Sequence, residues 1–90
     1  MAQILIIEDE ALLAKSLRRA LTVHGHDCAI AGSAEEGLAM LEQMPTDLVL
    51  LDIQLPGMSG LEAIKRIRQF DTNISVIIST AHGTMAAAVE

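Results

Sequence analysis

The 90-residue chain predicts an α/β fold, a doubly wound parallel sheet with helices on both faces, and three observations carry that prediction. Short continuous apolar runs, ILII at 4–7, LVLL within DLVLL at 47–51 and the β-branched ISVIIS at 74–79, read as strands buried on both faces. Segments with apolar residues at helical spacing lie between these runs. The connections are short, and no repeat or linker interrupts the order β-α-β-α-β-α-β-α, which implies right-handed crossovers and a parallel sheet.

Each element has a local reason. After the first strand come Glu8, Asp9 and Glu10, and then Leu13, Leu17 and Leu21 recur at i, i+4 and i+8 with Lys15, Arg18, Arg19 and Thr22 between them. That is an amphipathic helix, and Gly25 is its natural stop. A shorter second strand is expected at about 28–31. Ser33 with Glu36 forms a capping box for a helix carrying Leu38, Leu41 and Met44, which Pro45 ends. Ser59 with Glu62 opens a third helix in the same way, with Leu61, Ile64 and Ile67 as its expected buried stripe. The last seven residues, TMAAAVE, are expected to begin a further helix.

Composition narrows the class. The chain is 51% apolar with a net charge of −6, which fits a compact domain and excludes a disordered acidic tail. Six Lys and Arg residues, four of them in the pairs Arg18/Arg19 and Lys65/Arg66, argue against direct nucleic-acid binding by this segment. Cys28 stands alone, so neither a disulfide framework nor a thiolate metal cluster is expected. No apolar run approaches the roughly 20 residues of a membrane span, and no signal-peptide pattern precedes the first acids, so a cytoplasmic protein with no membrane partner is expected.

Parallel strands deliver their carboxyl ends to one edge, where open α/β sheets bind ligands. Asp52 ends the third strand, Glu8 and Asp9 follow the first, and Thr80 follows the fourth. Carboxylates gathered there repel one another unless a cation joins them or one is protonated, and an oxygen-only donor set suits Mg²⁺. Glu10 and Glu36 read instead as helix N-terminal charges. His24 and His26, at the end of the first helix, read as capping or exposed residues, and His82 lies beside the predicted site. Met40 and Met44 read as core packing rather than a cofactor box. Pro56 and Gly57 suit a turn, and Gly60 lets the next helix start close to the site.

Three fragments, IIEDE, LVLLDIQLPGMSG and VIISTAHG, in this order and spacing, resemble the receiver domain of bacterial two-component response regulators. The resemblance runs from residue 1 to residue 90 and implies a flavodoxin-like sheet of order 2-1-3-4-5. It implies that Asp52 takes a phosphoryl group from a partner histidine kinase, that Asp9 ligates Mg²⁺ (or Mn²⁺) directly, and that Glu8 acts through water. Gln54 falls where the family offers a backbone carbonyl to the metal. Thr80 matches the hydroxyl that hydrogen-bonds the phosphoryl group, and Ala81 the small residue that leaves room for it.

The family's fifth strand with its lysine, and its last helix, have no counterpart in these 90 residues, so a C-terminally incomplete receiver domain over 1–90 is expected. Its parent would control an output domain, commonly a transcription regulator. One alternative is a fragment that acts only as a self-associating module, as a homodimer through exposed strand 4 or helix 1 surfaces. Another is a Mg²⁺-dependent phosphatase with an aspartate nucleophile. Such enzymes commonly carry a second aspartate two positions on, where this chain has Gln54, so turnover of an external substrate is not expected.

Overall fold

The structure is a computed structural model, and it describes residues 2–53, 55, 57–79, 88 and 89. Gln54, Thr80, Ala81 and His82, and Pro56 of the expected turn, lie outside the described residues. The elements are β1 (Gln3–Ile7), α1 (Ala11–Val23), β2 (Asp27–Ala31), α2 (Ala34–Leu41), β3 (Leu48–Asp52), α3 (Gly60–Phe70), β4 (Ser75–Ser79) and β5 (Ala88–Val89). The sheet order is β2-β1-β3-β4-β5, and β1 to β4 pair with one another in parallel.

Alternation along the strands sorts their side chains to two faces. Leu5, Ile7, Val49, Leu51, Val76 and Ile78 meet α2 and α3 in the larger core, with Ala63 and Ile67. Ile4 and Ile6 meet Ala14 of α1 on the other face, with Leu17, Leu21, Leu48 and Leu50 packed around them. The doubly wound arrangement read from the sequence is therefore present.

Three local readings need correction, and that of α1 holds with one addition. Leu61 is 69% exposed, and the buried stripe of α3 is Gly60, Ala63, Ile64 and Ile67. The small residues of that stripe let α3 lie close to the sheet, which a count of large apolar residues overlooks. On α1 the fully buried contact is Ala14, while Leu13, Leu17 and Leu21 are half-buried. Helix α2 stops at Leu41, short of Pro45, and its chain continues through N–H donations from Gln43 and Met44 to the Met40 carbonyl. Finally, Ala88 and Val89, expected in a helix, pair antiparallel with Ile78 and Ile77. An edge strand presents a row of backbone donors and acceptors, and pairing with that row outweighs the helix preference of the local alanines.

The capping boxes form, each with a variation. Ser33 Oγ accepts from the Glu36 N–H at 3.1 Å, and Glu36 Oε1 reaches back to the Gly32 N–H at 2.6 Å rather than to that of Ser33. Ser59 Oγ accepts from the Glu62 N–H at 3.2 Å, while the Glu62 carboxylate turns forward to Arg66 at 3.1 Å. Arg68 closes the other end of α3 by donating to the Ile74 carbonyl.

Candidate functional site

The pairing register places the acids. Ile7 of β1 pairs with Leu51 of β3, so the next residues, Glu8 and Asp52, fall at neighbouring strand ends. Asp52 in turn pairs with Ser79, the residue before Thr80. The Glu8 N–H donates to the Ala31 carbonyl at 3.0 Å, which extends the β1–β2 ladder by one rung and fixes where the Glu8 side chain leaves the sheet. Asp9 follows and is exposed, and Glu10 caps α1 without a side-chain bond, in keeping with its reading as a helix N-terminal charge.

Glu8 and Asp52 are the buried polar residues of the described structure, at 4% and 3% exposure. One carboxylate oxygen from each of Glu8, Asp9 and Asp52 lies within 4.8 Å of the other two. This proximity has an electrostatic consequence. Burial, above all, pushes the Glu8 carboxyl up to about 7, and the charge of Asp52 and hydrogen bonds to Asp52 and Asp9 act in the same direction. The Glu10 N–H, which donates to Glu8 Oε2 at 3.1 Å, opposes them. A proton on Glu8 relieves the repulsion near neutral pH, and a cation would relieve it more completely.

The donor set fits Mg²⁺ on chemical grounds, because every contributed atom is a carboxylate oxygen and the charge of the group invites a small hard cation.

Two glycines shape the rim. A Cβ on Gly60 would lie 3.0 Å from Ile53 Cγ1 and 3.1 Å from its Cα, so a side chain there would have to push aside the residue that follows Asp52 by a few tenths of an ångström. Gly57 has φ +86°, a left-handed conformation that favours glycine in the turn between β3 and α3. A third glycine escaped the sequence reading. A Cβ on Gly37 would come within 2.5 Å of Ile7 Cδ1, so α2 packs directly onto the strand that carries Glu8.

Comparison with known proteins agrees with this geometry. The family model described as the response regulator receiver domain matches residues 4–90, and the chain belongs to that family. The transcriptional regulatory protein AfsQ1 of Streptomyces coelicolor is 41% identical over 81 residues, covering 90% of this chain and 36% of its own length. The chain thus spans little more than a third of that curated relative. A CheY-like receiver domain protein from Methanospirillum hungatei superposes with a TM-score of 0.87 at 31% identity, over 93% of this chain and 67% of the other. The structure of the histidine kinase ThkA in complex with the response regulator TrrA gives a TM-score of 0.85 at 34% identity, over 93% of this chain and 72% of the matched one. The chain is therefore a receiver domain of the two-component response regulators, with homologues that are transcriptional regulators, and receiver domains of this kind are phosphoacceptors.

Proposed function

We propose that this receiver domain takes a phosphoryl group onto Asp52 from a phosphohistidine of a sensor histidine kinase, and that the modified domain switches an output domain in a parent protein. The observation that carries the reading is the convergence of Glu8, Asp9 and Asp52, from two strand ends, within 4.8 Å.

Mg²⁺ (or Mn²⁺) would be held by Glu8, Asp9 and Asp52, with the Gln54 backbone carbonyl as the further expected ligand, and when bound it would neutralise charge on the phosphoryl oxygens. The chain's own residues supply the rest. An Asp52 carboxylate oxygen forms the new P–O bond while the P–N bond to the donor imidazole breaks, and the departing nitrogen keeps the electron pair. The result is an acyl phosphate. Burial keeps water from the Asp52 carboxylate and fixes its position, which is most of what phosphoryl transfer asks of a protein. Glu8, held partly protonated near neutral pH by its surroundings, gives up that proton when a cation arrives.

In the same proposal Thr80 donates its hydroxyl to the phosphoryl group after transfer, and Ala81 leaves it room. The new charge of about −1.5 to −2 and its acceptor oxygens draw the Thr80 hydroxyl inward and bias the segment that follows. Support for a kinase partner comes from the complex of ThkA with TrrA, and for a transcriptional output from the relative AfsQ1, a transcriptional regulatory protein. Among the described residues no helix is long and apolar enough to cross a membrane.

Intact mass after incubation with Mg²⁺ and acetyl phosphate tests the proposal. A gain of a single phosphoryl group that requires Mg²⁺ and is lost in Asp52→Asn supports it. A folded protein that gains none, or gains it equally in Asp52→Asn, refutes it. Leu12 and Val23, exposed on α1, favour self-association as a second reading. Light scattering that shows only monomer at high concentration would dismiss it.

A further inference from the structure

At the end of the sheet away from the acids, the start of β1 is held by a set of side chains. The Ala2 N–H donates to Nδ1 of His26 at 3.1 Å, and the Asp27 N–H donates to the Ala2 carbonyl at 2.9 Å. Gln3 donates its N–H to Asp47 Oδ2 at 2.8 Å and its Nε2 to Asp27 Oδ2 at 3.0 Å. The Asp47 N–H returns a bond to the Gln3 carbonyl at 2.8 Å. Residues 2 and 3 are thereby held between the α1–β2 connection and the approach to β3. His26, expected from the sequence to cap or to lie in solvent, is half-buried and belongs to this network.

A ring nitrogen that accepts an N–H must carry a lone pair, so the ring proton of neutral His26 resides on Nε2. We propose that His26 is a proton-operated latch on the amino end of β1, closed while Nδ1 is unprotonated and open once Nδ1 carries a proton. Protonation turns the acceptor into a donor, so two N–H groups face each other and the Ala2 amide loses its partner. The charged and titratable groups at this end are Asp27 on β2, Asp47 before β3, His24 at the end of α1, and Arg18 of α1, which acts on neighbouring Cys28. The imidazolium is drawn to the carboxylate of its neighbour Asp27, which at present accepts from Gln3 Nε2. The open latch therefore loosens the Gln3 side chain as well as Ala2.

The test is nuclear magnetic resonance on the 90-residue chain. Long-range nitrogen–proton correlations read the ring tautomer of His26 at pH 8, and hydrogen exchange reads the Ala2 and Asp27 amides from pH 8 to pH 5, corrected for intrinsic rates. The expected result is an Nε2-protonated ring at pH 8 and a loss of protection of about tenfold on acidification, the size of one hydrogen bond. His26→Asn places a non-titrating acceptor near the Nδ1 position and should hold protection constant, whereas His24→Asn should behave like the parent protein. An Nδ1-protonated ring at pH 8, protection that does not change with pH, or an equal change in His26→Asn overturns the proposal. Should His26→Asn fail to fold, the tautomer and exchange of the parent protein still decide.

Discussion

Glu8 and Asp52 sit at adjacent ends of the parallel strands β1 and β3, both almost wholly buried, and burial together with the Asp52 charge raises the Glu8 carboxyl. Two acids are held there at a cost to the fold, and the site's expected behaviour toward protons, cations and substitution follows from that cost.

The first prediction concerns pH. The folded protein raises the Glu8 carboxyl from 4.5 to about 7, so it binds the proton more tightly than the unfolded chain does. The stability that this provides is complete below pH 4.5, and it is lost as pH rises through about 7. In metal-free buffer, the stability difference between the parent protein and Glu8→Gln should therefore shift in favour of Glu8→Gln between pH 5 and pH 8. Denaturant titrations at both values measure it. The His26 latch is present in both proteins and cancels in the difference.

Mg²⁺ should stabilise the fold. A ligand at about 100 times its dissociation constant adds about 2.7 kcal/mol, and each kcal/mol raises the melting temperature of a domain this size by about 4–8 °C. Asp9→Asn should fold like the parent, because Asp9 is exposed, and should lose most of that increment. Thermal melts with and without Mg²⁺ check this.

Removing Asp52 should make the metal-free fold more stable. Asp52→Asn deletes a buried charge that repels Glu8. An increase of about 1 kcal/mol at pH 7.5 is expected from the scale of one pKa unit, together with loss of the Mg²⁺ response. Chemical denaturation of the variant beside the parent gives both numbers.

The assignment of faces on α3 gives a contrast. Ile67→Ala empties a fully buried position and should cost about 2–5 kcal/mol, whereas Leu61→Ser on the exposed side should change stability by no more than about 0.5 kcal/mol. Equal losses would mean that the helix is rotated from the orientation described.

Gly60→Ala should disturb the site more than its size suggests. Its Cβ would press on the Ile53 backbone, immediately after Asp52, so phosphorylation from acetyl phosphate should slow while the protein remains folded. Circular dichroism and the rate of mass gain separate the two effects.

Much of this arrangement was legible in the sequence for physical reasons. Apolar runs such as ILII and LVLL have few fates other than a buried strand, and Ser33 and Ser59 mark helix starts through the bonds they accept. The parallel order by itself brings Glu8, Asp9 and Asp52 to one edge. What escaped depends on close approach or distant partners. Ala14, Gly37 and Ala63 matter because they are small, and hydrophobic spacing does not register smallness as contact. The pairing of Ala88 and Val89 depends on the β4 edge, a partner remote in sequence from the local helix signal. Which acid of the Glu8–Asp9 pair is buried follows from the extra rung to Ala31, which spacing alone does not reveal.

The measurement that tests the central claim most directly is the location of the phosphoryl group. After acetyl phosphate treatment in Mg²⁺, borohydride reduction converts an aspartyl phosphate to homoserine, and peptide mass spectrometry identifies the residue that changed. Homoserine at position 52, absent when Mg²⁺ is withheld, is the predicted result. Reduction at another aspartate, or an unreduced phosphate on a serine, threonine or histidine, would contradict the account.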